Sequence, residues 1–394
     1  MPNLWSSNHP RDFWLCQPGL PDDVWQEAAF RALPFLLPDK TSLDIGTSLE
    51  LALGEGQFGP NRYRFGFARR VYYALKPFLS QKITHFMRRV HSDTARKASV
   101  LEWPIEPRYV QFQWEILRQA LLLAGKSATD FRYFWPDGKR FAFVLTHDVE
   151  TAEGQRNIPI LADLEESLGF RSSFNFVPER YQLDLGLMAE LRQRGFEIGV
   201  HGLKHDSKLF GSYSGFKRQA AEINRYVREF QAEGFRAPYT HRNPYWMQLL
   251  EVHYDSSFFD TDPFEPMPGG VMSIWPFTIG RFLELPYTLP QDSTLFNVLG
   301  ETSPRIWMDK LSFIREFHGM ALMLVHPDYS SEGVARQCYG AVLEEVKARG
   351  GYWHALPRDV ASWWKRRSDL GNTSVPTATM ARAALTGEGI DIRV

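Results

Sequence analysis

Cysteine is almost missing from this 394-residue chain: Cys16 and Cys338 are the only two, and they lie far apart. They form no Cys-x-x-Cys pair, so they read as reduced structural thiols and not as a zinc site or a disulfide framework. An excess of charge is missing too. The 45 Lys and Arg balance 46 Asp and Glu, for a net charge of −1. A nucleic-acid binder normally carries a basic surplus, so that class is set aside. Long apolar runs are also absent. The longest, such as Ala321–Val325, fall far short of the roughly 20 residues a membrane-crossing helix needs. The first residues, Met1–Trp14, show no basic stretch followed by an apolar one, so no secretory signal is read there. The expectation is a soluble, cytoplasmic protein.

What remains is an ordinary globular composition, with 44% hydrophobic and 23% charged residues. A chain this long can bury a core that needs neither a disulfide nor a structural metal. The 12 Trp and the 14% aromatic content would suit sugar rings, although most tryptophans serve the core.

The pattern divides the chain into three zones. Residues 1–137 are rich in Pro, Trp and Arg and read as an N-terminal extension, mixed or helical, of no evident role. Within it, Ala68–Arg89 has apolar residues at helical spacing, interrupted at Pro77. Residues 138–366 alternate short β-rich runs with helical patterns. Phe141–Thr146 and Met320–Val325 are continuous apolar runs of buried-strand type. Repeated β/α alternation implies a parallel sheet, and this many units favours a barrel that is closed or partly closed. Residues 367–394 are poor in large apolar residues and read as a flexible tail.

Polar clusters follow the strands of the middle zone. Thr146–Glu150 (THDVE) follows the first apolar run, and His201–His205 (HGLKH) follows Glu197–Val200. Arg236–Tyr239 (RAPY) comes next, and His326–Asp328 (HPD) follows the last apolar run. In a barrel such clusters converge on the carboxyl ends of the strands. On a helical turn, His201 and His205 at i, i+4 would face one ion. A carboxylate from Asp148 or Glu150 would complete a two-His, one-carboxylate site open to water and substrate. That donor set suits Zn²⁺ first, and Co²⁺, Mn²⁺, Fe²⁺ or Ni²⁺ as well. A metal-bound water needs a base and a leaving amine needs an acid. Asp148 and Glu150 offer the carboxylates, and His326 is the best acid. Arg236 could pair with a carboxylate, and the Pro238–Tyr239 backbone could present an N–H to an oxyanion.

In order and spacing these clusters resemble the motifs of the polysaccharide deacetylase family. Val144–Glu150 (VLTHDVE) stands where the family has Thr-Phe-Asp-Asp-Gly. His201–His205 stands for His-(Ser/Thr)-x-x-His, and Arg236–Tyr239 keeps Arg-x-Pro-Tyr intact. Tyr254-Asp255 resembles the fourth, Asp-containing motif. Leu322–His326 matches Leu-x-x-His loosely, with Met323 in the Leu position. The resemblance implies a distorted (β/α)₇ TIM-like barrel over 138–366 and hydrolysis of an N-acetyl group on an amino sugar. It implies Asp148 as general base, His201 and His205 as metal ligands, and Arg236 as the residue orienting the base. It further implies Tyr239 as the oxyanion donor and His326 as general acid. Val149 replaces the family's second Asp, so Asp148-Val-Glu150 reads as an Asp-x-Glu variant with Glu150 as third ligand. Residues i and i+2 on a strand face the same way, so both carboxylates can reach the site. The alternative has Asp148 on the metal and His147 in another role. The function implied is an N-deacetylase of a polysaccharide, oligosaccharide or glycan precursor. Two alternatives stand beside it: an amidohydrolase acting on a small non-sugar amide, and a sugar-binding relative without turnover. Nothing in the sequence fixes the oligomeric state.

Overall fold

The computed structural model describes residues 3–39, 43–66, 92, 94–368, 379–387 and 389–394. The amphipathic stretch at Ala68–Arg89 lies outside them. Two short strands, β1 (Cys16–Gln17) and β2 (Ala128–Arg132), precede the main sheet. The main sheet begins with β3 (Phe141–Val149), β4 (Ser173–Phe176), β5 (Glu197–Val200) and β6 (Gly234–Phe235). It continues with β7 (Tyr254–Asp255), β8 (Phe277–Ile279) and β9 (Phe282–Glu284). It ends with β10 (Met320–Val325) and β11 (Tyr352–His354). The last two strands are β12 (Met380–Leu385) and β13 (Ile390–Arg393).

The order across the sheet is β10-β3-β4-β5-β6-β7-β9-β8, with β11 also on β3. Among the described residues, seven strands along this path pair in parallel and β8 pairs antiparallel. The sheet curls, and the segment after β9 bridges the remaining gap. Thr288 and Leu289 both donate N–H to Leu322 O at 3.2 and 3.1 Å, and Tyr287 forms a bridge with Phe259. This is the expected α/β architecture, a distorted seven-stranded barrel.

Local chemistry explains the elements. Every residue of β3 is buried, because its run FAFVLTHDV is covered by helices outside and filled by side chains inside. Thr151 caps the helix Ala152–Leu168, and Gly169 ends it at φ 86°. Ser212 caps the amphipathic helix Tyr213–Glu229. Between the third motif and β7 the helix Pro244–Met247 is a single turn, capped by Asn243.

The N-terminal segment shares one continuous core with the barrel. Trp114 stacks on Trp275 at 5.6 Å and on Phe134 at 6.3 Å. Residues 55–65 also reach the segment just after the third motif. Glu55 forms a buried ion pair with Arg242, whose Nε lies 2.9 Å from Glu55 Oε2, and Phe65 stacks on His241 at 4.0 Å.

The chain end departs from the expected flexible tail. β12 pairs antiparallel with β2 and β13, and Ala381 and Ala383 are buried. Small side chains suffice here because the partner strand already brings Phe131.

Candidate metal and acid–base site

β3 sets the geometry of the site through its alternation. Thr146 and Asp148 point into the barrel, and Glu150 follows at the rim. His147 points outward between them, stacked on Phe174 at 4.6 Å, with Nε2 2.6 Å from Glu165 Oε1. It therefore does not reach the site, where the sequence had offered it as a possible supporting residue.

Asp148 is buried, and its Oδ1 accepts from Asn175 Nδ2 at 2.9 Å and Arg236 NH1 at 3.2 Å. Its Oδ2 lies 3.7 Å from His201 Nε2. Burial pushes this carboxyl up, but His201, Arg236, His326 and Asn175 more than offset that and hold it below its ordinary range. Asn175 is a site residue that motif reading missed. The signal was a lone amide in the buried strand SFNF. Gly199 on β5 leaves the space: a Cβ there would stand 2.0 Å from Asn175 Oδ1.

Arg236 is fully buried. Besides Asp148 it donates to Ser256 O at 2.7 Å and Thr146 Oγ1 at 2.9 Å. Its guanidinium is thus held at two points besides the carboxylate.

His201 and His205 lie on an irregular loop after β5, not on the helical turn expected. Gly202 has φ 63°, and a Cβ there would come within 2.5 Å of Pro238. Glycine is therefore required where the resembling motif has Ser or Thr. The two rings still converge, with centroids 5.1 Å apart. His201 Nδ1 donates to Arg236 O at 3.0 Å, which leaves Nε2 as the lone-pair atom; it is buried and has no hydrogen-bond partner. Burial brings this imidazole down to about 4 despite Asp148, so it is neutral, as a metal ligand must be. His205 Nε2 lies 3.0 Å from Glu150 Oε1. Ligand atoms of Glu150, His201 and His205 all fall within 4.8 Å of one another. Burial opposes ionisation of Glu150, yet His205, His326 and His201 hold its carboxyl well below the ordinary range. Two imidazoles and one carboxylate at this spacing are a fitting set for a divalent ion.

Tyr239 sits in the left-handed region at φ 60°, its ring packed at a tilt against His205 with centroids 4.3 Å apart and its hydroxyl donating to His205 O at 3.0 Å. The turn and the metal-type loop are thereby held together.

His326 directly follows β10 opposite this cluster, with Nε2 3.9 Å from Glu150 Oε1. Its Nδ1 lies 2.6 Å from Asp292 Oδ1, and its backbone N–H donates to Asp292 Oδ2 at 2.8 Å. Burial would lower this imidazole, but Asp292, with Glu150 and Asp148, raises it to about 10. Asp292 is thus the carboxylate that serves His326. The sequence reading had put Asp255 in the fourth-motif position instead. Asp255 is buried on β7 and spends its carboxyl on other partners, accepting from Ser257 Oγ at 2.7 Å and sharing a hydrogen bond with Glu284.

No family model matches the sequence, and no curated protein is a significant match. Solved structures do match. A protein described as a polysaccharide deacetylase, from Mycobacterium smegmatis, aligns at 18% identity over 63% of this chain and 98% of that chain, with TM-score 0.50. Puue allantoinase aligns at 14% identity over 59% and 92%, with TM-score 0.49. A protein described as a polysaccharide deacetylase from Pseudomonas aeruginosa PAO1 aligns at 16% identity over 59% and 93%, with TM-score 0.49. The chain has the fold of the mycobacterial protein, a parallel α/β barrel.

Proposed function

We propose that this chain is a metal-dependent deacetylase of the polysaccharide deacetylase family. Its substrate would be an N-acetylated amino sugar in a polysaccharide, oligosaccharide or glycan precursor. The observation that carries this reading is the meeting of Glu150, His201 and His205 with Asp148 on one side and His326 on the other. Glu150, His201 and His205 would hold one divalent ion, Zn²⁺ for preference. When bound, the ion polarises the acetyl carbonyl and makes a water acidic enough to deprotonate near neutral pH.

The remaining work falls to the chain. Asp148, ionised beside Arg236, takes the proton of the attacking water. Arg236 and Asn175 fix its carboxylate so that Oδ2 faces the reacting atoms. The Tyr239 peptide N–H is assigned to the acetyl oxygen as negative charge develops there. His326, kept protonated by Asp292, gives its proton to the amine nitrogen as the C–N bond breaks. Acetate and a free amino sugar leave.

The test is acetate release from N-acetylglucosamine oligomers by protein loaded with one metal per chain, with small linear and cyclic amides assayed in parallel. Metal-dependent acetate release is the expected result. Amide turnover without acetate would move the substrate to a small amide. A folded protein that binds sugar but neither metal nor turns over substrate would contradict the enzymatic reading.

A further inference from the structure

The resembling motif carries Phe where this chain has His147, and the structure gives that histidine a set of partners no apolar residue could have. Its ring is wholly buried on the outer face of β3. Nδ1 donates to Val325 O at 2.9 Å, since a carbonyl only accepts, and Nε2 lies 2.6 Å from Glu165 Oε1. Tyr339 hydroxyl donates to the same Glu165 oxygen at 2.6 Å. Glu165 comes from the helix Ala152–Leu168 and Tyr339 from the helix Gly333–Arg349. A buried polar cluster costs desolvation that Phe and Leu would avoid. What it supplies is a directional bond at one place: between the residue before Asp148 and the residue before His326. The register agrees, with His147 opposite Val325 at the last rung of the β3–β10 ladder.

We propose that His147, braced by Glu165 and Tyr339, is a positioning residue that fixes the end of β3 against the end of β10, and so Asp148 against His326. It does not touch substrate. The backbone ladder between the strands stops at this rung; beyond it the ends are tied through a side chain, Asp328, which accepts from Glu150 N–H at 3.1 Å and from Thr151 Oγ1, so the His147 bond is the last one made directly on the strand pair. The bond to Val325 O closes the outer face just where the inner face must keep base and acid apart by a fixed distance. This rests on the deacetylase reading only for what Asp148 and His326 do.

The experiment compares wild type, the double variant His147→Phe/Glu165→Leu, and His147→Asn/Glu165→Leu. Asn keeps a donor near the Nδ1 position and so keeps the bond to Val325. For the Phe/Leu protein, kcat for acetate release should fall roughly 10–100-fold, the order of loss that follows a misplacement of about 1 Å between reacting groups. KM and metal content should hold, and the Asn/Leu protein should recover most of the loss. Independently of turnover, backbone amides at Asp148, Val149 and His326 should exchange hydrogen faster in the Phe/Leu protein, while those at Phe143, Val144 and Leu322 keep wild-type rates. If the double variant does not fold, His147→Gln carries the same expectation, since it can reach Glu165 but not Val325. A folded variant with unchanged kcat and unchanged strand-end exchange overturns the proposal. So does exchange that quickens evenly along the whole sheet. If wild type releases no acetate, the deacetylase reading fails, and the exchange pattern alone decides the positioning role.

Discussion

The proton on His326 is the residue-scale property on which the proposed chemistry depends most, and Asp292 sets it. A divalent ion at Glu150 would pull this imidazole down from about 10, but the contribution of Asp292 persists. The direction of its removal follows: taking away a negative neighbour lowers the pKa of a cationic acid. Asp292→Asn should therefore move the basic limb of the kcat–pH profile to lower pH, leaving the acidic limb, set by Asp148, in place. His326→Ala should remove that limb and lower kcat by roughly 10²–10⁴-fold with metal content unchanged. A pH profile of Asp292→Asn that overlays wild type would show that Asp292 only packs against the ring. At this scale the sequence was legible where a motif named a strand end and illegible where a partner came from elsewhere. Asp148, Glu150, His201, His205, Arg236 and His326 converge as the spacing implied. Asn175 and Asp292 did not announce themselves, because a single amide or carboxylate gains meaning only from the side chain it meets. His147 was credited by adjacency to a motif and Asp255 by likeness to one, whereas strand alternation turns His147 outward and the short β7 leaves Asp255 beside Glu284.

At the scale of elements, buried strands and capped helices were readable, and irregular segments were not. The run MALMLV became β10 without change of ends. The His201–His205 loop kept its spacing but not its expected helical form, because Gly202 and the approach of Pro238 impose another path. The least legible element was the chain end. β12 and β13 carry few large side chains and depend for their order on pairing with β2, a partner some 250 residues earlier in the chain that no local pattern can reveal. Their position allows a prediction. β2 leads through Tyr133 and Trp135 to His318, just ahead of β10, so this small sheet braces the amino-terminal ends of the barrel strands. In barrels that end serves stability, and the opposite end serves chemistry. Deleting residues 379–394 should lower the melting temperature by several degrees, since β2 loses its pairing with β12 and the packing that Ala381 and Ala383 supply. Metal content and kcat at 25 °C should be retained. Loss of metal from a folded truncated protein would contradict this division of labour.

For the whole molecule, the N-terminal segment is part of the barrel's support and not an appendage. Trp114 extends the core onto Trp275, and Glu55 neutralises Arg242 three residues beyond Tyr239. Composition gave no hint of this, because a buried Glu–Arg pair looks in sequence like any two charged residues. The barrel itself, and the end of it that carries the polar clusters, were both readable from β/α alternation. The central claim concerns that end: Glu150 binds the ion and Asp148 acts as base. The most direct measurement is elemental analysis of purified Glu150→Ala and Asp148→Asn beside wild type, with acetate release measured on the same samples. The account predicts one divalent metal per chain and turnover in wild type. It predicts loss of both in Glu150→Ala. In Asp148→Asn the metal should stay and kcat should fall by roughly 10²-fold or more. Metal retained in Glu150→Ala and lost in Asp148→Asn would contradict it and make Asp148 the ligand.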